Sequence, residues 1–438
     1  MAAVTAKPDA RQVAVQALIR VQDEDAYSNI TLDAALRESG LTGRDAAFAT
    51  ALFYLSLERR ITLLHCIKAH CPHKLSKVVG AVLQTAIAQL LYMDQVPRSA
   101  AVNEAVRLTR QMGQARSAGL VNAVLRGFIR AGCAVPPVEG DAARRMAVAY
   151  SCDDALAQSL MDWYGADTAE AILSAALGHA PIFLRVNTLK TDSGSLIDTL
   201  AAEGIEAASG PTQNSLVVSG GDLTATRAYA DGLFHVQDLS GQQAVALLDP
   251  QPGERILDVC AAPGGKSFTL AQHMGDRGEV VSCDLHAGRL GLIHSGAERL
   301  GLASITALQN DGAVPNPALG FFDRILCDVP CSGYGVIRRK PELKYNPPAK
   351  FRALPELQYK ILETSSHYLN EGGRLLYTTC TLAPDECEGV VRRFLQKNPE
   401  FSPLNWCDEG HMKTLLPTDP QGGDGFFIAA ITRGGDRT

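Results

Sequence analysis

The chain has 438 residues, 46% of them hydrophobic and 20% charged, which is too long for one ordinary domain and excludes a disordered or collagenous protein. Its eleven cysteines are dispersed, no run is long enough to span a membrane, and the start, Met1-Ala2-Ala3-Val4-Thr5-Ala6-Lys7-Pro8, lacks the charged and apolar segments of a secretion signal. A cytoplasmic protein with reduced thiols is therefore expected, its net charge of −6 unevenly spread: residues 1–140 carry 16 Lys and Arg against 11 Asp and Glu, and the remainder 25 against 36.

From residue 10 to 130 apolar residues recur at helical spacing, as in Val13, Ala17, Leu18 and Val21, or Val82, Leu83, Ile87 and Leu90. Strand-like alternation is absent, so residues 1–135 read as an all-α domain broken near Gly40, Pro72, Pro97 and Gly113. Between Arg59 and Arg130 eleven basic residues face only Asp94 and Glu104, an electrostatic footprint for a polyanion or, more simply, a solvated helical surface. His65, Cys66, His70, Cys71 and His73 cluster there without a paired Cys-x-x-Cys spacing, and no metal site is expected. Pro136-Pro137 marks a linker. Residues 141–235 combine a helical stretch, 142–178, with a small α+β module: 182–187 and 215–218 are strand-like, 193–203 helical. In residues 236–438 strands and helices alternate, which argues for βαβ units around a parallel sheet.

Three strand ends in that region have ligand-binding chemistry. After the strand 255–260, Ala261-Ala262-Pro263-Gly264-Gly265-Lys266 forms a tight loop into a helix from Ser267, a place where backbone approaches a ligand closely. A Walker A loop would need glycine where Cys260 stands, and the three spaced glycines of a dinucleotide fingerprint are missing. Asp284, about twenty residues past the glycines, suits ribose hydroxyls, and Asn310-Asp311 after the third strand suits an adenine edge. Together these favour S-adenosylmethionine over a nicotinamide cofactor. Two further strands end in Asp328-Val329-Pro330-Cys331 and Thr379-Cys380-Thr381. Two thiols at neighbouring strand mouths suit a reaction in which one adds covalently to the substrate and the other moves a proton. Which does which is not decided by residue type. Arg338, Arg339, Lys340 and Lys344, just past Cys331, are expected to hold flanking phosphates, or else to lie in a solvated loop.

Asp258-x-Cys-Ala-Ala-Pro-Gly-Gly-Lys266, Asp328-x-Pro-Cys331 and Thr379-Cys380, with Val236-Gln237-Asp238 and Asp424-Gly425-Phe426-Phe427, resemble the motif set of the RNA cytosine carbon-5 methyltransferases. Arg185-Val186-Asn187-Thr188 resembles the start of that family's small RNA-facing module, and residues 96–106 and 119–126 resemble a NusB-type RNA-binding domain. The resemblance covers nearly the whole chain and implies a NusB-like helical front, an α+β RNA-facing module touching RNA at Arg185, and a Rossmann-like class I methyltransferase domain. It implies further that the substrate is small-subunit ribosomal RNA and that the cofactor is S-adenosylmethionine held by residues 260–266, Asp284, Asp311 and Asp328; apart from the resemblance, a monomer is expected. By the same resemblance Cys380 is the nucleophile, Cys331 assists proton removal and enzyme release, and Asp328 binds the cytosine edge; a cation and a helix N-terminus near a thiol raise its thiolate fraction, the role expected of Lys266 and its helix. Cys387 stands where the family usually has asparagine, and a structural thiol is expected there. The other readings are a transfer-RNA or DNA cytosine methyltransferase and a non-catalytic ribosome-assembly or antitermination-type RNA-binding factor. An amino-group methyltransferase is disfavoured, because its Asp/Asn-Pro-Pro-aromatic motif is replaced by Asp328-Val329-Pro330-Cys331.

Overall fold

The computed structural model describes residues 9–24, 28–420 and 422–434. The N-terminal segment read above for a secretion signal, residues 1–8, lies outside them. Two compact units emerge, one extending to Leu177 and including Arg339–Pro348, the other comprising Gly178–Arg338 and the chain from Ala349 onward.

The first unit is helical, from Ala10–Glu24 through Ala166–Ala175, with breaks at Gly40, Pro72, Pro97 and Gly113. Its core gathers the periodic positions read from sequence: Val13, Leu18, Leu52, Leu63, Val82, Leu83 and Ile87 are buried together with Leu125 and Phe128. Each such side chain stabilises the fold by about 1.5–3 kcal/mol. Ser76 caps the helix Lys77–Tyr92 by accepting from the Val79 N–H, and Asp141 does the same for Ala142–Tyr150 through the Arg144 N–H. The 142–178 stretch packs with this unit: Thr62 Oγ1 donates to Val148 O at 2.6 Å and Ser151 Oγ accepts from the Ile61 N–H at 2.8 Å. Cys66 and Cys71 belong to the helical core, His70 meets Phe128 edge-on, and His65 Nε2 lies 3.1 Å from Pro136 O. Among the described residues no helix is long and apolar enough to cross a membrane.

The second unit holds two sheets. β1 (Ile182–Val186), β2 (Ala207–Ser209), β3 (Ser215–Val218) and β4 (Phe234–Val236) form a small antiparallel sheet in the order β2-β3-β1-β4. The large sheet contains β5 (Arg255–Asp258), β6 (Glu279–Asp284), β7 (Ile305–Gln309), β8 (Phe322–Asp328), β9 (Leu369–Thr379), β10 (Phe401–Pro403), β11 (Met412–Leu415) and β12 (Phe426–Arg433). Its order is β10-β12-β9-β8-β5-β6-β7 with β11 also on β12; β5 to β9 run parallel and β12 antiparallel to β9. Period-2 alternation buries both faces. Leu257, Ile325, Leu375 and Tyr377 pack with the helices Leu354–Ser366 and Glu388–Lys397, while Ile256, Val280, Leu326 and Leu376 pack with Leu239–Leu248, Gly265–His273 and Ala287–Leu300. The chain builds outward from β5 through β6 to β7 and then returns to place β8 on the other side of β5. This reversal opens a crevice at the strands' carboxyl ends, the usual ligand position in such sheets.

Candidate active site

β5 ends at Asp258, only 1% exposed. Ser267, in the first turn of the helix Gly265–His273, donates to Asp258 Oδ2 at 2.7 Å and accepts from Ser282 Oγ at 2.8 Å, while Asp258 Oδ1 has no partner. Burial pushes the Asp258 carboxyl up to about 7, against the pull of Ser267 and the Lys266 charge. The loop between strand and helix is closely drawn. Ala261 N–H donates to Cys283 O at 2.7 Å, and Gly264 N–H to Ala261 O at 2.7 Å. Gly264 sits at φ 110°, where a Cβ would meet the Phe268 ring at 2.5 Å, so only glycine fits. Ala261, Ala262 and Gly264 are buried, Cys260 and Gly265 half-buried and Pro263 exposed. Burial pushes the Cys260 thiol well up, which keeps it a neutral wall of the loop.

Buried Asp284 ends β6, accepting the His286 N–H at 2.9 Å and facing Arg289 Nη1 at 3.2 Å; Arg289 Nη2 also donates to Ala262 O at 2.6 Å. Arg289, which the sequence reading passed over, thus ties the glycine loop to the β6 terminus. Asp311, just past β7, is exposed and closes its own turn by accepting the Ala313 N–H at 2.9 Å. The unpartnered Asp258 oxygen and the buried Asp284 carboxylate give adjacent strand ends an acceptor-rich rim, which suits a ligand bearing hydroxyl and ammonium donors.

At the next strand ends four of the expected side chains converge. Lys266 Nζ donates to Asp328 Oδ2 at 2.6 Å, and Thr378, buried on β9, donates to Asp328 Oδ1 at 2.8 Å. Burial works against the Lys266 charge, but Asp328, Asp258 and Cys380 outweigh it and raise its pKa, so it stays an ammonium. The sulfurs of Cys331 and Cys380 lie 3.2 Å apart. The Cys331 thiol is pushed well above the ordinary value by its hydrogen bond to Cys380, by burial, and by the charges of Cys380, Glu386 and Asp328. The hydrogen bond and burial thus favour the protonated form of Cys331, while Cys380 lies within electrostatic reach of the Lys266 ammonium.

A bracket the sequence reading did not identify fixes this geometry. Buried Glu386 accepts the Ser332 N–H at 2.9 Å and Gln358 Nε2 at 2.8 Å, Gln358 Nε2 also reaches Pro330 O at 2.9 Å, and Ser332 Oγ shares a 2.6 Å hydrogen bond with Thr381 Oγ1. The residues after Cys331 are thereby clamped to those after Cys380. Cys387 is buried at the start of Glu388–Lys397, with its thiol 3.4 Å from Thr379 Oγ1 and 3.7 Å from Thr381 O, and burial pushes its pKa well up: a structural thiol. Gly335 N–H donates to Cys380 O at 3.0 Å and Gly425 N–H to Gly335 O at 2.9 Å, an approach so close that a Cβ on Gly335 would sit 1.9 Å from Gly425 O. Upstream, Asp238 accepts the Asp424 N–H at 3.1 Å, and Gln237 Oε1 accepts from Thr269 Oγ1 at 2.7 Å.

The cations expected to hold RNA fare differently. Arg185 is only 5% exposed and donates to Gln213 O at 2.9 Å and His273 Nε2 at 2.8 Å; Lys344 is 0% exposed and donates to Tyr150 O at 3.2 Å within the helical unit. Both side chains are thus buried and hydrogen-bonded within the protein rather than standing on its open surface, Arg185 beside Gln213 and His273 and Lys344 beside Tyr150. Next to Lys344, the Tyr345 hydroxyl donates to Leu57 O at 2.5 Å and Glu58 O at 2.8 Å, contacts distant in sequence that hold this segment in the helical unit. Arg338 is mostly buried and donates to Gly422 O at 3.2 Å, near Asp424, whereas Lys340 is exposed and Arg339 half-buried.

Comparison with known proteins places this geometry. Residues 245–432 match the 16S rRNA methyltransferase RsmB/F model, residues 8–130 the NusB family, and residues 154–221 the ferredoxin-like domain of RsmF/B-like methyltransferases. The probable ribosomal RNA small subunit methyltransferase B of Bacillus subtilis (strain 168) is 35% identical over 98% of this chain and 100% of its own. The ribosomal RNA small subunit methyltransferase B of Pseudomonas putida is 32% identical over 97% and 98%. Among solved structures, that of PH0851 shares the fold with a TM-score of 0.83 over 98% of this chain and 99% of that chain, at 24% identity. A methyltransferase homologue from Pyrococcus horikoshii reaches 0.59 at 26% identity, over 67% and 100%. With relatives of that identity running its full length, the chain is an RNA methyltransferase and belongs to the ribosomal RNA small subunit methyltransferase B family.

Proposed function

We propose that the protein transfers a methyl group from S-adenosylmethionine to carbon 5 of a cytosine in 16S, small-subunit ribosomal RNA through a covalent adduct with Cys380. The observation that carries this reading is the pair of sulfurs 3.2 Å apart at adjacent strand ends, one in the field of Lys266 and the other among carboxylates. The acceptor-rich rim of Asp258 and Asp284 and the loop 260–266 fit the cofactor's hydroxyl and ammonium groups, and Asp311 lies at the next strand end. When bound, S-adenosylmethionine supplies a methyl group on a positively charged sulfur.

The protein's own groups do the rest. Lys266 favours the Cys380 thiolate, which forms a bond to carbon 6 of the ring and pushes its electron pair toward carbon 5, splitting one difficult step into easier ones. Asp328, held from both sides by Lys266 and Thr378, accepts a hydrogen bond from the cytosine amino group. Formation of the carbon–sulfur bond removes the Cys380 charge that kept Cys331 protonated. Cys331 can then give its own proton to solvent water and, as a thiolate, take the carbon 5 proton after methylation; the electron pair of that carbon–hydrogen bond restores the ring double bond, the bond from carbon 6 to Cys380 breaks, and Cys380 leaves as thiolate. The target base has to leave any stack to reach this crevice. The relatives' names support ribosomal RNA of the small subunit as substrate. Eleven free cysteines support work in a reducing compartment, the cytoplasm, and we take the working state to be a monomer.

Incubation of the full chain with methyl-labelled S-adenosylmethionine and unmodified 16S ribosomal RNA, followed by digestion to nucleosides, tests the reading. Label in 5-methylcytidine alone is expected. Label in another nucleoside, or labelling of transfer RNA in preference to 16S ribosomal RNA, overturns it.

A further inference from the structure

A second cavity, of ≈ 670 Å³, lies in the same unit but away from the glycine loop. Its wall includes Gln272 and His273 at the far end of the helix Gly265–His273, whose first turn serves the cofactor loop. At a rise of 1.5 Å per residue the two sites are separated by roughly 12 Å along that helix. The size is that of pockets for small organic ligands.

The chemistry of its wall is unusual for a crevice left to water. Gln272 is 3% exposed, yet both its amide oxygen and its amide nitrogen lack partners. Gln242 is 1% exposed; its amide nitrogen donates to Gln237 O at 3.1 Å, which leaves the oxygen unpartnered. Thr212 Oγ1 and Arg185 Nε are likewise buried without partners. Native proteins rarely leave such groups unsatisfied, and here four of the residues concerned line one cavity.

The charge in this wall also lacks an answer. Among the described residues no carboxylate pairs with the Arg185 guanidinium, whose contacts are the Gln213 carbonyl and His273 Nε2. Since Arg185 donates to that nitrogen, His273 is neutral and carries its proton on Nδ1, in keeping with burial, which holds its pKa near 4. The cavity is thus lined by a buried cation, by Gln272 with an unpartnered amide and Gln242 with an unpartnered amide oxygen, and by the half-buried Trp406, whose Nε1 is tethered to His411 O at 3.0 Å. An anion, a flat ring with a mixed donor and acceptor edge, and an aromatic surface to stack on are complementary features of one ligand class.

We infer that this cavity binds a nucleoside monophosphate unit, its base against Trp406 and read by the Gln272 and Gln242 amides, its phosphate toward Arg185. The unit comes either from a free nucleotide or from an unpaired nucleotide of RNA, and it is separate from the base at the cysteine pair. Stacking on an aromatic side chain and one good amide–base pair each contribute enough to change affinity about ten- to a hundredfold.

The two tryptophans make the test direct, because in a Trp163→Phe background only Trp406 emits. Fluorescence of the full chain is titrated with each of the four ribonucleoside monophosphates, with a single-stranded RNA pentamer and with inorganic phosphate, then repeated with Gln272→Leu. Saturable quenching of Trp406, weakened about tenfold or more by Gln272→Leu, is expected. The melting temperature of Gln272→Leu should equal or exceed that of the parent, since an unpartnered amide has been removed from a buried site. Saturation by free monophosphates identifies a free nucleotide as the source, and saturation by the pentamer alone identifies RNA. No saturation by either, binding unaffected by Gln272→Leu, or inorganic phosphate binding as tightly as the nucleotides overturns the inference.

Discussion

Replacing Lys266 by methionine keeps the length of the side chain and removes its charge, which isolates the role given to it in ionising Cys380. Two unit charges 4–8 Å apart at an effective dielectric of about 20 interact by roughly 2–4 kcal/mol. The Lys266 side chain is 21% exposed, and solvent screening brings the effect on the thiol to about 1.5–3 kcal/mol, or one to two pH units. Removing a cation disfavours the anion, so the thiol pKa rises. Methyl transfer at neutral pH should therefore fall about 10- to 100-fold and recover as pH is raised, with the acid limb of the pH–rate profile displaced upward by the same one to two units. The ionisation is read independently from the pH dependence of iodoacetamide alkylation at Cys380, quantified by peptide mass spectrometry. An alkylation midpoint that stays in place, or a loss of activity that is the same at every pH, would refute the electrostatic role of Lys266 and leave it only the task of holding Asp328.

Other consequences follow from the same contacts. Thr378→Val preserves shape and deletes the 2.8 Å hydrogen bond to Asp328; loss of a bond to a charged group, about 1.5–3 kcal/mol, should lower kcat roughly 10- to 150-fold while the dissociation constant for S-adenosylmethionine stays within about threefold in equilibrium dialysis. Gly335→Ala forces a Cβ to within 1.9 Å of Gly425 O and 2.9 Å of Cys380 O, so it should cost several kcal/mol, seen as a melting temperature lowered by several degrees. Lys344 is held in the helical unit with its pKa depressed by burial to about 8, against 10.5 for the free side chain. The unfolded chain then binds more protons between those values, so this group costs stability below pH 8 and the cost disappears as pH rises toward 10.5. Lys344→Met should thus be more stable than the parent at pH 7, by up to about 3 kcal/mol, with the difference shrinking above pH 8 in urea unfolding; a variant less stable at pH 7 would show that the hydrogen bond to Tyr150 O outweighs the buried charge.

Periodicity and strand-end motifs made most of the architecture legible. The helical front follows from spacing alone, because Val13, Leu18, Val82 and Ile87 point to one side of their helices and cannot be left in water. Lys266, Asp328, Cys331 and Cys380 were legible as a group because parallel order brings the carboxyl ends of β5, β8 and β9 together. What escaped was whatever depends on side-chain direction or on contacts distant in sequence. Arg185 lies on a five-residue strand whose other members are apolar, and a strand residue faces either the core or the solvent; the sign of its charge could not say which. Lys344 is buried by a ten-residue segment, Arg339–Pro348, that belongs with helices some two hundred residues earlier, and no local pattern reports this. The short β10 and β11 pair only with β12 and carry little alternation of their own. Glu386 looked like an ordinary turn acid and became a clamp only because Ser332, Gln358 and Tyr377 converge on it.

The central claim is that Cys380 bonds to the base and Cys331 frees it, and one gel tests it. Cys331→Ala and Cys380→Ala are each incubated with unmodified 16S ribosomal RNA and S-adenosylmethionine and run under denaturing conditions. A protein band shifted by bound RNA with Cys331→Ala and not with Cys380→Ala is predicted, since the adduct forms and is not released. A shifted band with Cys380→Ala would reverse the two roles, and no band with either variant beside an inactive parent would contradict covalent catalysis on this RNA altogether.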